Sequence, residues 1–124
     1  MAAPNIVNVA TITAKPDTAL LTGTSATAAL SNAASSGKVL KVNSLVISIV
    51  DDSAAATITL GIYPQDDIAG TAVVYANAVS VAPNSFLVAI DNNVGMYLEE
   101  DTSIGVTASV ANDLTYTITY EELS

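Results

Sequence analysis

The densest chemistry in the chain is Met96-Tyr97-Leu98-Glu99-Glu100-Asp101. It places three consecutive carboxylates in a 124-residue sequence that is 51% hydrophobic and only 12% charged. Hard oxygen ligands crowded into one connection can hold calcium. Glu99, Glu100 and Asp101 are therefore the candidate metal ligands, with Asp51, Asp52 or Asp113 available to join them. The run lacks the regular Asp/Asn and Gly spacing of a calcium loop. A second chemistry, glycoside hydrolysis, needs two carboxylates facing each other across a cleft, one of them raised by burial, beside aromatic sugar platforms. One Phe and five Tyr supply few such platforms. The plain reading is a solvated turn whose charges keep a strand end from pairing with strangers, and this is the expectation.

The remaining polar clusters read the same way. Asp66-Asp67 in YPQDDIAG and Glu121-Glu122 near the C-terminus are expected to be a solvated loop and a solvated tail. Gly37-Lys38 follows a Ser-rich stretch, but its spacing is wrong for a phosphate loop and no helix follows. Tyr63, Tyr75, Tyr97, Tyr116 and Tyr120 are expected in the core or at an interface, with a carbohydrate platform as the alternative. The chain has no histidine and no cysteine, and its three basic residues are all lysines. That removes Ser-His-Asp and Cys-His nucleophile systems and the usual ligands of zinc, copper and haem. No catalytic residue, no cofactor and no enzymatic activity are expected.

The net charge is −9. Nucleic acid requires a cationic footprint and anionic membranes repel such a chain, so neither is an expected partner. Lys15, Lys38 and Lys41 share residues 1–50 with a single acid, Asp17, whereas residues 51–124 hold the other acids and no base. Such asymmetry suggests different surroundings for the two parts. The start, MAAPNIVNVATITA, lacks the basic and apolar regions of a signal peptide, and no run of about 18 apolar residues exists to span a bilayer. Mean hydropathy is +0.51, which implies apolar surface covered by a partner.

The elements that must position these groups are strands. Leu114, Tyr116, Ile118 and Tyr120 alternate with Thr115, Thr117 and Thr119, and Ile104, Val106, Ala108 and Val110 alternate with Gly105, Thr107 and Ser109. Period-2 alternation of this kind marks half-buried strands. With Ala111-Asn112-Asp113 between them, 104–110 and 114–120 are expected to form a hairpin. Residues 39–50 and 57–62 flank a turn at Asp51-Asp52-Ser53. Phe86, Val88 and Ile90 make a short strand, and 71–76 and 79–82 are further candidates. In 18–36 the Thr, Ser and Gly23 content argues for short strands and loops despite the alanines. Seven to nine short strands without a convincing helix predict one all-β domain, an antiparallel β-sandwich of jelly-roll type, with an immunoglobulin-like sandwich as the alternative. Residues 1–16 are expected as an N-terminal strand or arm that pairs with a neighbouring subunit, and 17–124 as the sandwich. The interface is expected at Ile6, Val7, Val9 and Ile12 of that arm and at Val46 and Val50 of the strand that alternates apolar residues on both sides.

Two stretches carry a resemblance: LSNAASSGKVLKVNSL at 30–45, and YLEEDTSI at 97–104 taken with the ending YEELS at 120–124. Together they resemble small virion structural proteins of tailed bacteriophages, particularly those of marine and cyanobacterial phages. The resemblance implies a β-rich protein that assembles on the particle in the host cytoplasm and carries no catalytic residues. The leading expectation is a capsid decoration, or cement, protein that acts as a homo-oligomer, a trimer, and bridges major capsid subunits. A neck or tail component that docks fibres or closes a ring is one alternative. A carbohydrate-binding adhesin module of a tail fibre is the other.

Overall fold

The computed structural model describes residues 9–51, 53–93 and 96–124. Nine strands follow one another without a helix among these residues: β1 (Ile12–Leu20), β2 (Thr27–Asn32), β3 (Val39–Ile49), β4 (Ala56–Tyr63), β5 (Val73–Val81), β6 (Phe86–Ile90), β7 (Met96–Leu98), β8 (Thr102–Ala108) and β9 (Leu114–Leu123). β1 pairs with β9, β2 with β8, β3 with β6 and β7, and β4 with β5, always antiparallel. Every one of these pairs straddles the loop 64–72. The chain is thus a single long hairpin, bent at that loop and rolled up until β3 also meets β9 and β4 also meets β8.

Two sheets result. Sheet A runs β1-β9-β3-β6, with β7 continuing the lane of β6 along β3, and sheet B runs β2-β8-β4-β5. This nested order is that of a jelly roll. An immunoglobulin-like sandwich builds each sheet partly from sequential neighbours, whereas here β4 and β5 are the one sequential pair that hydrogen-bonds among the described residues.

The alternation written in the sequence decides which faces meet. Leu45 and Ile47 of β3, Ile58 and Leu60 of β4, Ile104 and Val106 of β8, and Leu114 and Ile118 of β9 are all buried between the sheets. Each such side chain contributes about 1.5–3 kcal/mol on leaving water. The intervening residues Thr115, Thr117 and Thr119 face outward, as the period-2 pattern implies.

The structure corrects the expected hairpin of 104–110 and 114–120. β8 lies in sheet B and β9 in sheet A, and the connection between them crosses layers. Its backbone is satisfied elsewhere: Ser109 N donates to Thr57 O (3.0 Å), Asn112 N to Leu21 O (2.8 Å), and Asp113 O accepts from Val50 N (2.7 Å). Likewise the candidates 71–76 and 79–82 are one strand, β5, interrupted by a bulge. There Ala78 takes a positive φ of 49° and its N–H donates to Thr59 Oγ1 at 3.0 Å. The boundary drawn after Pro16 falls inside β1, whose nine residues pair with β9 of the same chain from Ile12↔Leu123 to Leu20↔Thr115. Ile6 and Val7 lie outside the described residues.

Candidate functional site

The carboxylate run joins β7 to β8, and therefore sheet A to sheet B. At that end of the sandwich the connection 99–101 meets the β2–β3 loop, 33–38, and the β4–β5 loop, 64–72. Asp101, at φ 60°, donates its N–H to Asn32 O (2.9 Å), while its Oδ1 accepts from Asp66 N (3.0 Å). Glu100 Oε2 accepts from Gly37 N at 3.1 Å, and Gly37 itself needs the left-handed region at φ 69°. Glu99 points to solvent, and its carbonyl accepts from Thr102 Oγ1 (2.7 Å). The three carboxylates thus go separate ways. Two of them terminate backbone N–H groups of neighbouring loops, a charge-assisted use that stabilises turns. Asp66 joins the same junction through Ala34 N and is half-buried, as are Glu100 and Asp101; these loops face solvent less than the sequence suggests.

Two buried polar residues anchor this end, and the sequence reading overlooks both. Asn32, 2% exposed, donates through Nδ2 to Lys38 O (2.9 Å) and Leu98 O (3.0 Å), while its Oδ1 accepts from Ser36 Oγ (2.6 Å). Ser103, fully buried, donates to Gln65 O (2.8 Å) and accepts from Ile68 N (2.9 Å). The signal available was a polar residue in an apolar setting within a strand, Asn32 two positions beyond Leu30 on the same face and Ser103 directly before Ile104. Such a residue is stable inside only when fully hydrogen-bonded. Among the described residues no three His, Cys, Asp or Glu side chains converge on a point, so Glu99, Glu100 and Asp101 form no ligand set there. No cleft opens among the described residues either.

Two further surfaces follow from the sheets. Over sheet B the β4–β5 loop folds back across β8. Tyr63 and Ile68 lie so close to Gly105 that an added Cβ would stand 2.5 Å from the Tyr63 ring and 3.1 Å from Ile68 Cγ2. Ile68 is held there at φ 53°, a conformation β-branched residues avoid, by its N–H on Ser103 Oγ and the adjacent Asp67 N on Ser31 Oγ (2.8 Å).

Among the described residues no such cover lies over most of sheet A. Its cross-strand partners share a face, which fixes the outward rows as Leu20, Thr115, Ser48 and Phe86; then Thr18, Thr117, Val46 and Val88; then Pro16, Thr119 and Ser44; then Ala14, Glu121, Lys41 and Tyr97; and last Ile12, Leu123 and Val39, where Leu123 and Val39 are buried and the open face ends. Phe86 is 66% exposed, Tyr97 51% and Val88 47%. The first three rows carry no charge. Val46, expected at an interface, stands in the middle of this face and is half-buried. Val50 is exposed just beyond β3, Ile12 is exposed at the start of β1, and Val9 is half-buried ahead of it.

The charges of sheet A gather near the chain ends. Glu122 binds Lys15 at 3.0 Å and Lys38 at 3.5 Å. The hydrogen bond to Glu122 raises the Lys15 ammonium above its usual value, and the Lys15 bond holds the Glu122 carboxyl below its own, against partial burial. Burial raises the hydroxyls of Tyr116 and Tyr120. The Ser53 hydroxyl and N–H lower Asp51.

The class reached by this route is an all-β jelly roll with a tightly stitched loop end and an open sheet face whose first three rows are uncharged. No protein-family model matches the chain, and no curated protein matches it significantly in sequence.

Proposed function

We propose that this chain is a non-enzymatic structural protein of a tailed-bacteriophage virion, a capsid decoration protein that stabilises the head by bridging subunits. The observation that carries the reading is the outer face of sheet A. Three rows of Thr, Ser, Val, Leu, Pro and Phe side chains lie open on a chain of net charge −9. A patch of this kind marks a protein–protein contact. The carboxylates of Glu100 and Asp101 support the same reading, because they are engaged in holding loops together. The resemblance of 30–45, 97–104 and 120–124 to phage virion proteins supplies the setting, and the jelly roll is an architecture that capsid domains use, an analogy of fold alone.

The mechanism is bivalent packing. An oligomer that presents the same contact surface more than once ties neighbouring capsid subunits together and adds interface area against the pressure of the packaged genome. Quantitative mass spectrometry of purified particles tests it. Hundreds of copies per particle are expected, a few dozen or fewer would move the protein to the neck, tail or fibre, and absence from particles would overturn the reading.

A further inference from the structure

The open face of sheet A has an internal symmetry that selects its partner. We propose that it binds a second copy of this chain, back to back, about a two-fold axis that runs along the strands midway between β9 and β3. This deepens the reading above, since a back-to-back dimer presents its remaining surfaces twice, as bridging requires, but it rests on the geometry of one sheet.

A rotation about that axis keeps each row at its own height and exchanges left for right. β9 of one copy then lies over β3 of the other, and β1 lies over β6 and β7. The rows match themselves. Thr117 meets Val46 at the centre, Leu20 meets Phe86, Thr18 meets Val88, and the small Ala14 meets the large Tyr97. In the one charged row Lys41 of each copy comes over Glu121 of the other. Among the described residues Lys41 makes no ion pair within its own chain, and Glu121 Oε1 accepts only a neutral donor, Asn43 Nδ2 at 3.2 Å. A two-fold axis across the strands would instead press Lys41 and Glu121 onto the Leu20–Phe86 row and desolvate them without partners, which is costly. Charge therefore selects one axis. Sheet twist rotates packed sheets by about 30°, so the correspondence is closest at Thr117 and Val46 and loosens at the corners.

The size is adequate and small. Four strands about 4.8 Å apart and seven residues of about 3.4 Å give a flat footprint of roughly 450 Å² per copy. The pair then buries about 900 Å² before side-chain relief is counted, near the ~1,000 Å² of the smallest specific interfaces. The dimer is expected to dissociate on dilution.

Sedimentation velocity of the full chain over a dilution series tests this, with twice 12.6 kDa expected at the concentrated end. Val46→Glu should raise the dissociation constant at least about tenfold, because it buries an unpaired carboxylate, while β-type circular dichroism is kept. Thr117→Lys serves as the second variant should Val46→Glu fail to fold. Lys41→Glu should weaken the dimer, and the exchange Lys41→Glu with Glu121→Lys should restore it. The chain has no cysteine, so Thr117→Cys can be joined copy to copy by a short bis-maleimide, whereas Ser80→Cys, exposed on sheet B, should not be. A monomeric or trimeric mass at every concentration, or a dimer indifferent to both face variants, would overturn the proposal. Because purified protein suffices, the result stands apart from whether the chain is found on particles.

Discussion

The outer faces of the two sheets begin from the same material and end differently. Both present Thr and Ser between inward-facing Ile, Leu and Val, as half-buried strands do. On sheet B the chain covers β8 itself: Tyr63 and Ile68 close over Gly105, and Ser103 ties the loop down through Gln65 O and Ile68 N, although Val73 and Val74 of the edge strand β5 stay exposed. On sheet A the corresponding surface is left to Thr117, Val46, Val88 and Phe86 without a cover from the described chain. The difference separates folding from assembly. Residues on the covered face should report on stability, and residues on the open face on association.

The largest effect is expected on the covered face. Gly105→Val sets a branched side chain where even a Cβ stands 2.5 Å from the Tyr63 ring, so loop 64–72 must lift or the strand must shift. Overpacking of this kind costs about 1–3 kcal/mol, read as a lower urea midpoint with an unchanged slope. Slightly smaller is the loss from Asn32→Ala, which orphans Lys38 O and Leu98 O in the interior. About 1–3 kcal/mol is the usual cost of such unsatisfied groups. Phe86→Ser and Val88→Thr, on the open face, should leave the urea midpoint within about 0.5 kcal/mol and change self-association instead. A Phe86 variant as destabilised as the Gly105 one would erase the distinction between the faces.

Much of this fold was legible in the sequence, and the reasons are particular. The alternation at 114–120 names which residues of β9 face inward, because the period of a strand is two whatever it pairs with. It says nothing of partners, so β8 and β9 look like a hairpin although they belong to different layers. Asn112, at φ 66°, makes a turn in either case. The Leu98-to-Thr102 connection misleads in the same manner: three acids read as a solvated turn, and only the fold brings Gly37 and Asp66 to them. β2 was obscured by alanine, and Asn32 by its ordinary role in loops. The cover on Gly105 depends on a loop nearly forty residues earlier in the chain, which no local pattern records.

The carboxylate junction should be more tolerant than its charge suggests. In Glu99→Gln with Glu100→Gln and Asp101→Asn, the new carbonyl oxygen at position 100 can still accept from Gly37 N and that at position 101 from Asp66 N. A thermal midpoint lower by a few degrees is expected, with the oligomer intact. Loss of the oligomer on this change would place the contact at the loop end and not on the open face of sheet A.

The smallest effect is expected where the open sheet ends, at β1. This strand is exposed along its length and is held by its pairing with β9 and by the bond of Lys15 to Glu122. Hydrogen bonding to Lys15 lowers the folded-state pKa of Glu122 beneath its unfolded value. A depressed carboxyl contributes stability that is present above its unfolded pKa and is lost as pH falls through its folded pKa. Acid should therefore loosen β1 before it disturbs β3. Amide hydrogen exchange followed downward through and below the usual glutamate range of about pH 4.3, and corrected for the intrinsic rate, should show faster opening of 13–19, while Leu45 and Ile47 stay protected. Glu122→Gln should open β1 to nearly the same degree already at neutral pH and remove the pH step. If β1 exchanges alike in both proteins at every pH, the ion pair holds nothing, and backbone pairing to β9 alone keeps the edge of the open sheet in place.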